Sequence, residues 1–195
     1  LPGTDRYSFA RCNGSPPKLL TCASLIKRKG HDILIEALRE IHYLNWEARF
    51  VGDETLDPKW ASELRDKVAL SGLSTQIEFV GTVANIASEY QNADIFVLPS
   101  KFEGYGMVLS EAMAHGLPII STRTGAIPEV VPESAGILVK SEDHSALAAA
   151  LKKLILDGDL RNKMQLSAQK AASTLPTWRA CAELILKGME IITKR

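Results

Sequence analysis

From Lys18 onward, short apolar runs that read as β-strands alternate with longer stretches whose apolar residues recur every three or four positions, and this alternation restricts the chain to a parallel sheet covered by helices. The candidate strands are residues 19–24, 47–51, 76–80, 94–98, 117–121 and 136–139. About six such strands suffice for a Rossmann-like, doubly wound α/β domain. Between them, Ile33, Leu34, Ala37, Leu38 and Ile41 form one helical stripe, and Trp60, Leu64 and Val68 form another. After the last strand the chain closes in helices. Leu147, Leu151, Leu154 and Ile155 mark the first, residues 160–172 the second, and Trp178, Ala182, Ile185, Met189 and Ile192 a third that is read as a packing face.

Residues 1–17 hold Pro2, Gly3, Gly14, Pro16 and Pro17 without a sustained period and read as a linker, so the domain proper is expected over 18–195. A chain of 195 residues with 46% apolar and 24% charged side chains has the composition of one globular core. Its 23 acidic and 23 basic residues cancel, so no global field draws in nucleic acid, and anion binding has to be local. Cys12, Cys22 and Cys181 are odd in number and lack metal-ligand spacing, which fits a reducing compartment without disulfides. The four histidines are likewise scattered, so no metal site is expected. No run approaches the roughly 18 apolar residues that span a bilayer, and the amino end has no signal-peptide pattern, so this segment is expected to be soluble.

Chemistry concentrates in FVLPSKFEGYGMVLSEAMAHGLPIIST, residues 96–122. An apolar strand ends at Pro99 and Ser100, and Gly104 and Gly106 then let the backbone approach a ligand. The following helix, from about Gly106, points its unpaired N–H groups at that loop, a setting suited to a phosphate. Glu103 lies in the loop and Glu111 in the helix, so the two acids are placed to take hydroxyl groups on either side of such a phosphate. A second cluster, SLIKRKGHD at residues 24–32, crowds Lys27, Arg28 and Lys29 into the turn after the first strand, at the sheet edge where open α/β folds bind ligands.

The pattern P-S-x-x-E-G-x-G-x-x-x-x-E-A-M-A-x-G-x-P, with two glutamates separated by seven residues, resembles the donor-site signature of retaining glycosyltransferases of the GT-B fold. Ser100, Glu103, Gly104, Gly106, Glu111, Ala112, Gly116 and Pro118 all fall in register. The resemblance covers nearly the whole chain and implies the carboxy-terminal, donor-binding half of such an enzyme, with the amino-terminal acceptor domain absent. It implies a hexosyltransferase whose donor is a UDP-, GDP- or ADP-sugar, working without a metal ion or other cofactor in glycoconjugate or polysaccharide biosynthesis. The full-length protein is then expected in the cytoplasm or peripheral to a membrane.

By that resemblance Glu111 holds the ribose hydroxyls, Glu103 the sugar hydroxyls and Lys29 the diphosphate, with Glu103 and Lys29 counted as catalytic. Gly104 lets the loop approach the ligand, the backbone of Tyr105, Gly106, Met107 and Val108 receives the phosphate, and Gly81 and Val83 line the base. Ser24 stands where the family has an Arg and Ala23 where it has a Gly, which leaves Lys27 or Arg28 to substitute for the missing cation. Glu54 and Ala126 likewise replace family glycines, Gly125 is expected near the sugar ring, and Pro128 and Glu129 are expected to fix their loop. Tyr90, Ala93 and Asp94 match a segment read as structural. Two rivals are a GT-B nucleotide-sugar epimerase and a non-catalytic nucleotide-binding or interaction module, the latter favoured by the Ser24 and Ala126 departures.

Overall fold

The computed structural model describes residues 8–174 together with Ala182, Glu183, Leu186 and Met189. Six strands, β1 (Lys18–Cys22), β2 (Glu47–Val51), β3 (Ile77–Gly81), β4 (Ile95–Leu98), β5 (Ile119–Thr122) and β6 (Gly136–Val139), form one sheet in the order β3-β2-β1-β4-β5-β6. Every pairing is parallel. This is the doubly wound Rossmann-like arrangement expected from the alternation, with a switch point between β1 and β4.

The central strands β1, β4 and β5 are buried at every residue but Lys18 because both faces of the sheet are covered. Leu19, Ile95, Val97 and Ile120 point into one core, shared with α1 (His31–Glu40), α2 (Pro58–Leu70) and α6 (His144–Leu156). Their neighbours Leu20, Phe96, Leu98 and Ile119 point into the other, shared with α3 (Ile86–Gln91), α4 (Met107–Ala114) and α5 (Ile127–Val130). The strand period of two thus feeds two cores from one sequence run. Helix α7 (Gly158–Ser173) packs on α4 and reaches α6, closing the layer.

The described part of the segment read as a linker is tied down on the domain. Residues 8–17 contain no helix or strand but lie against the domain: Ala10 and Cys12 are buried, the Ala10 amide donates to the His115 carbonyl at 2.8 Å, and Gln165 Nε2 donates to the Ala10 carbonyl at 2.6 Å. The Asp94 carboxylate accepts from the amides of Gly14 and Lys18, each at 2.7 Å, and so ties this segment to the start of β4. Trp178, Ile185 and Ile192 of the last expected stripe lie outside the described residues, whereas Ala182 and Met189 are helical.

Helix starts divide into two kinds. The side chains of Asp57, Asn85, Asp143 and Asp157 cap α2, α3, α6 and α7 by accepting from Trp60, Ser88, Ala146 and Leu160 amides. The short α5 starts at Ala126 without a side-chain cap, and helices α1 and α4 begin at Gly30 and Gly106, both left-handed and likewise without one. These two starts follow β1 and β4, the strands that flank the switch point. Their first amides have no capping side chain.

Candidate functional site

At the switch point the chain leaves β1 and β4 toward opposite sides of the sheet, so the loops that follow them part and form a crevice. Between Leu98 and Met107 the β4–α4 loop turns back on itself, and Gly106 makes that turn possible at φ 78°. A Cβ there would be strained by that φ and would crowd Leu109 Cδ1 at 2.9 Å and Glu103 Cγ at 3.2 Å. The result brings Glu103 against the 3₁₀ turn Lys27–Lys29 from the other side of the crevice.

Glu103 is almost fully buried and is compensated there. Its Oε2 accepts from Lys29 Nζ at 2.7 Å and from Ser100 Oγ at 3.2 Å, with Arg28 Nη1 at 3.7 Å. A buried carboxylate without such partners costs several kcal/mol, so the cations and the loop acid hold each other in place. Among the described residues all three contacts fall on Oε2 and none on Oε1.

Three residues per turn spread the consecutive cations of the 3₁₀ turn about 120° apart. Lys27 lies over the Trp60 ring, 5.2 Å from its centroid. Arg28 and Lys29 face the cleft. Arg28 also spans the two loops: its Nη1 donates to the Phe102 carbonyl at 2.7 Å, and its own carbonyl accepts from the Lys101 amide at 2.8 Å. Of the two cations that sequence left open as substitutes at Ser24, the structure therefore brings Arg28 to Glu103 and sends Lys27 to Trp60.

Two recesses meet at Val108. The first, of about 690 Å³, is lined by Arg28, Lys29, Glu103, Gly104 and the run from Tyr105 to the first residues of α4, including Gly106 and Met107. Phe102, Tyr105 and Met107 expose apolar surface along its rim. The second, of about 320 Å³, is walled by Ser24, Gly52, Thr82, Val83, Ile86 and Glu111. Val83 is thus in the wall, whereas Gly81 stands behind it, its carbonyl accepting from the Gly52 amide at 2.9 Å. Glu111 is half-buried at the edge of this second recess, where Tyr90 Oη donates to its Oε2 at 3.0 Å. Burial pushes the Cys22 thiol beside Tyr90 up to about 12, so it stays protonated.

Gly125 packs directly beneath Glu103. A Cβ there would sit 1.8 Å from the Glu103 carbonyl oxygen, and the Ala126 amide donates to that same oxygen at 3.2 Å. With Thr122 Oγ1 donating to the Ser100 carbonyl at 2.6 Å and Thr124 Oγ1 to Lys101 at 3.0 Å, the β5–α5 loop serves as the floor that holds Glu103. Glu129, not assigned to the site, is exposed in the first turn of α5. Residues missed from sequence are Ser100 as a partner of Glu103, Tyr90 as a partner of Glu111, and Thr82 in the wall. Ser100 carried a signal, three residues before Glu103. Tyr90 carried none, because its partner lies 21 residues away and is met only through helix packing.

The crevice thus sets an acid–cation pair beside an uncapped helix start, with a second acid in an adjoining recess, at the switch point of a Rossmann-like domain. The family described as "Glycosyl transferases group 1" matches residues 9–171, and the chain belongs to that family. It is 33% identical over 159 residues to the lipopolysaccharide core biosynthesis mannosyltransferase LpsB of Rhizobium meliloti, covering 76% of this chain and 45% of that protein. The C-terminal domain of a glycosyl transferase group 1 family protein (LpcC) from Francisella tularensis superposes with a TM-score of 0.75 at 33% identity, over 81% of this chain and 85% of that one. The fold is accordingly one half of a GT-B glycosyltransferase. Anabaena Alr3699/HepE, solved in complex with UDP and glucose, is similar with a TM-score of 0.83 at 25% identity, over 89% of this chain and 48% of that one. The chain spans about half the length of the curated relatives it matches.

Proposed function

We propose that this chain is the nucleotide-sugar-binding half of a retaining glycosyltransferase, whose acceptor is presented by a separate domain across the crevice. The observation that carries the reading is the junction at Val108 of two recesses, one holding Glu103, Lys29 and the start of α4, the other holding Glu111. A nucleoside diphosphate sugar has the matching order of parts. Its base and ribose take the second recess with Glu111 on the ribose hydroxyls, its diphosphate meets the amides of Met107 and Val108 with Lys29 and Arg28, and its hexose lies beside Glu103.

In the transfer step the anomeric C–O bond to the diphosphate breaks and its electron pair leaves with the diphosphate, while the acceptor hydroxyl oxygen bonds to the same carbon and its proton passes to the departing diphosphate. Lys29, Arg28 and the positive end of α4 meet that growing charge, so their attraction is stronger in the transition state than in the bound donor. The same cations remove the need for a metal ion in this reading. Glu103, held by Ser100 and Lys29, accepts from sugar hydroxyls and fixes the anomeric carbon relative to the acceptor. The uridine diphosphate of the Anabaena neighbour and the mannosyltransferase relative support a donor of this class.

Calorimetric titration of this chain with UDP, GDP and ADP tests the reading. One of the three is expected to bind weakly, with Glu111→Ala reducing affinity about tenfold or more, as befits hydrogen bonds to a charged group, and Glu129→Ala leaving it unchanged. No sugar transfer is expected from this chain alone. Absence of binding by all three at millimolar concentration, or equal losses in the two variants, rejects the assignment.

A further inference from the structure

We propose that Tyr90 is a positioning residue for the nucleotide: its hydroxyl locks the Glu111 carboxylate in the orientation that receives a ribose diol. The proposal rests on the donor-binding reading above and adds to it a residue outside both acid–cation motifs.

Tyr90 comes from α3 and Glu111 from α4, and the two meet where Tyr90 Oη donates to Glu111 Oε2 at 3.0 Å. The phenol is held on both sides. Its ring stacks on His115 with centroids 5.1 Å apart and planes 14° from parallel, and it tilts against Phe96 at 5.8 Å. Only 1% of the residue is exposed, so the ring has no room to swing away from Glu111. Burial, with the neighbouring Cys22 and Glu111, pushes the phenol well above its ordinary titration range, so it stays a donor at every working pH. Glu111 is an acceptor when ionised, and one oxygen is already taken by a hydrogen bond whose direction is fixed by a rigid ring.

The geometry has a chemical consequence. A carboxylate on an ethylene arm rotates freely about its last bond, and a vicinal diol needs both oxygens presented in one plane. Pinning Oε2 from the α3 side leaves Oε1 and the second lone pair of Oε2 for hydroxyl donors from the recess that Tyr90 and Glu111 both line. Prior immobilisation of one such side chain is worth roughly 3- to 10-fold in affinity. Tyr90→Phe keeps the ring against His115 and Phe96 and removes only the donor.

The test uses whichever of UDP, GDP and ADP this chain binds most tightly, together with its 2′,3′-dideoxy counterpart. Affinities are measured by calorimetry for the unaltered chain, Tyr90→Phe, Glu111→Ala and the double variant, with thermal melting as a check that each is folded. The unaltered chain is expected to prefer the ribose form. Tyr90→Phe is expected to weaken that form about 3- to 10-fold and leave the dideoxy form unchanged, and the double variant is expected to bind no more weakly than Glu111→Ala. Equal weakening of both nucleotides by Tyr90→Phe, or an unchanged preference, overturns the positioning role while leaving the donor site intact. An unaltered chain that binds nucleotide without preferring ribose overturns the role of Glu111 and this proposal with it. One that binds none of the three overturns the donor-binding reading itself.

Discussion

Gly125→Ala should damage the site from underneath. The added Cβ would lie 1.8 Å from the Glu103 carbonyl oxygen, whereas ordinary contact begins near 3.4 Å, so two backbone segments have to part by roughly 1.6 Å. Separation on that scale breaks the hydrogen bond from the Ala126 amide to the same carbonyl, a loss of about 1 kcal/mol. The φ of +52° adds about 1 kcal/mol of left-handed strain for any L-residue, and forced overpacking adds about 1–3 kcal/mol. The total is about 3–5 kcal/mol, which for a domain of this size lowers Tm by about 10 °C.

Two controls separate these causes. Gly72 has φ +70° with open space around it, so Gly72→Ala carries the strain alone and should cost about 1 kcal/mol. Gly104 has neither a left-handed φ nor a close neighbour, and Gly104→Ala should leave stability nearly unchanged. The assay is urea unfolding of the three variants side by side, followed by nucleotide titration of Gly125→Ala, in which displacement of Glu103 should also weaken a nucleotide sugar. If Gly125→Ala unfolds at the same denaturant concentration as Gly72→Ala, the close approach to Glu103 is not what holds the loop.

Two further outcomes follow from individual side chains. His31 is fully buried, neither ring nitrogen has a hydrogen-bond partner among the described residues, and burial with the nearby Lys29 charge lowers its pKa from 6.5 to about 4. The unfolded chain therefore takes up a proton that the native one refuses as pH falls from 6.5 toward 4. That uptake removes about 2–3 kcal/mol of stability over the window and nothing above it. His31→Leu should unfold at equal or higher denaturant at pH 7 and lose that part of the acid slope, and identical slopes for the two proteins at pH 7 and 4.5 would count against it. Arg28→Ala should weaken nucleotide binding by several-fold and flatten its salt dependence, while Lys27→Ala, whose ammonium rests on Trp60, should change neither; titration at two salt concentrations decides.

Much of the fold was legible because its signals are local. Each strand is a four- or five-residue segment built around apolar side chains, each capped helix is announced by an Asp or Asn, and the glycines and acids of residues 99–111 mark a loop entering a helix. Even so, Ala23 and Ser24 fall beyond β1, and Leu117 and Pro118 precede β5, because strand ends are set by pairing with neighbours and not by apolarity. The residues before Lys18 carried no period and so read as a linker, yet Asp94 and His115 hold their described part against the domain through backbone groups that have no side-chain signature.

What the sequence determined alone was the alternation of strand and helix, the glycines of the loop before α4, and the presence of two acids and three cations at one edge of a sheet. Only the tertiary structure decided which of those charges meet. Lys29 and Glu103 are 74 residues apart, Tyr90 and Glu111 are 21 apart, and Arg28 differs from Lys27 by one step of a 3₁₀ turn. The physical reason is range: periodicity and capping act within a turn or a strand, whereas the partner of a buried charge is chosen by how separate loops and helices pack around it.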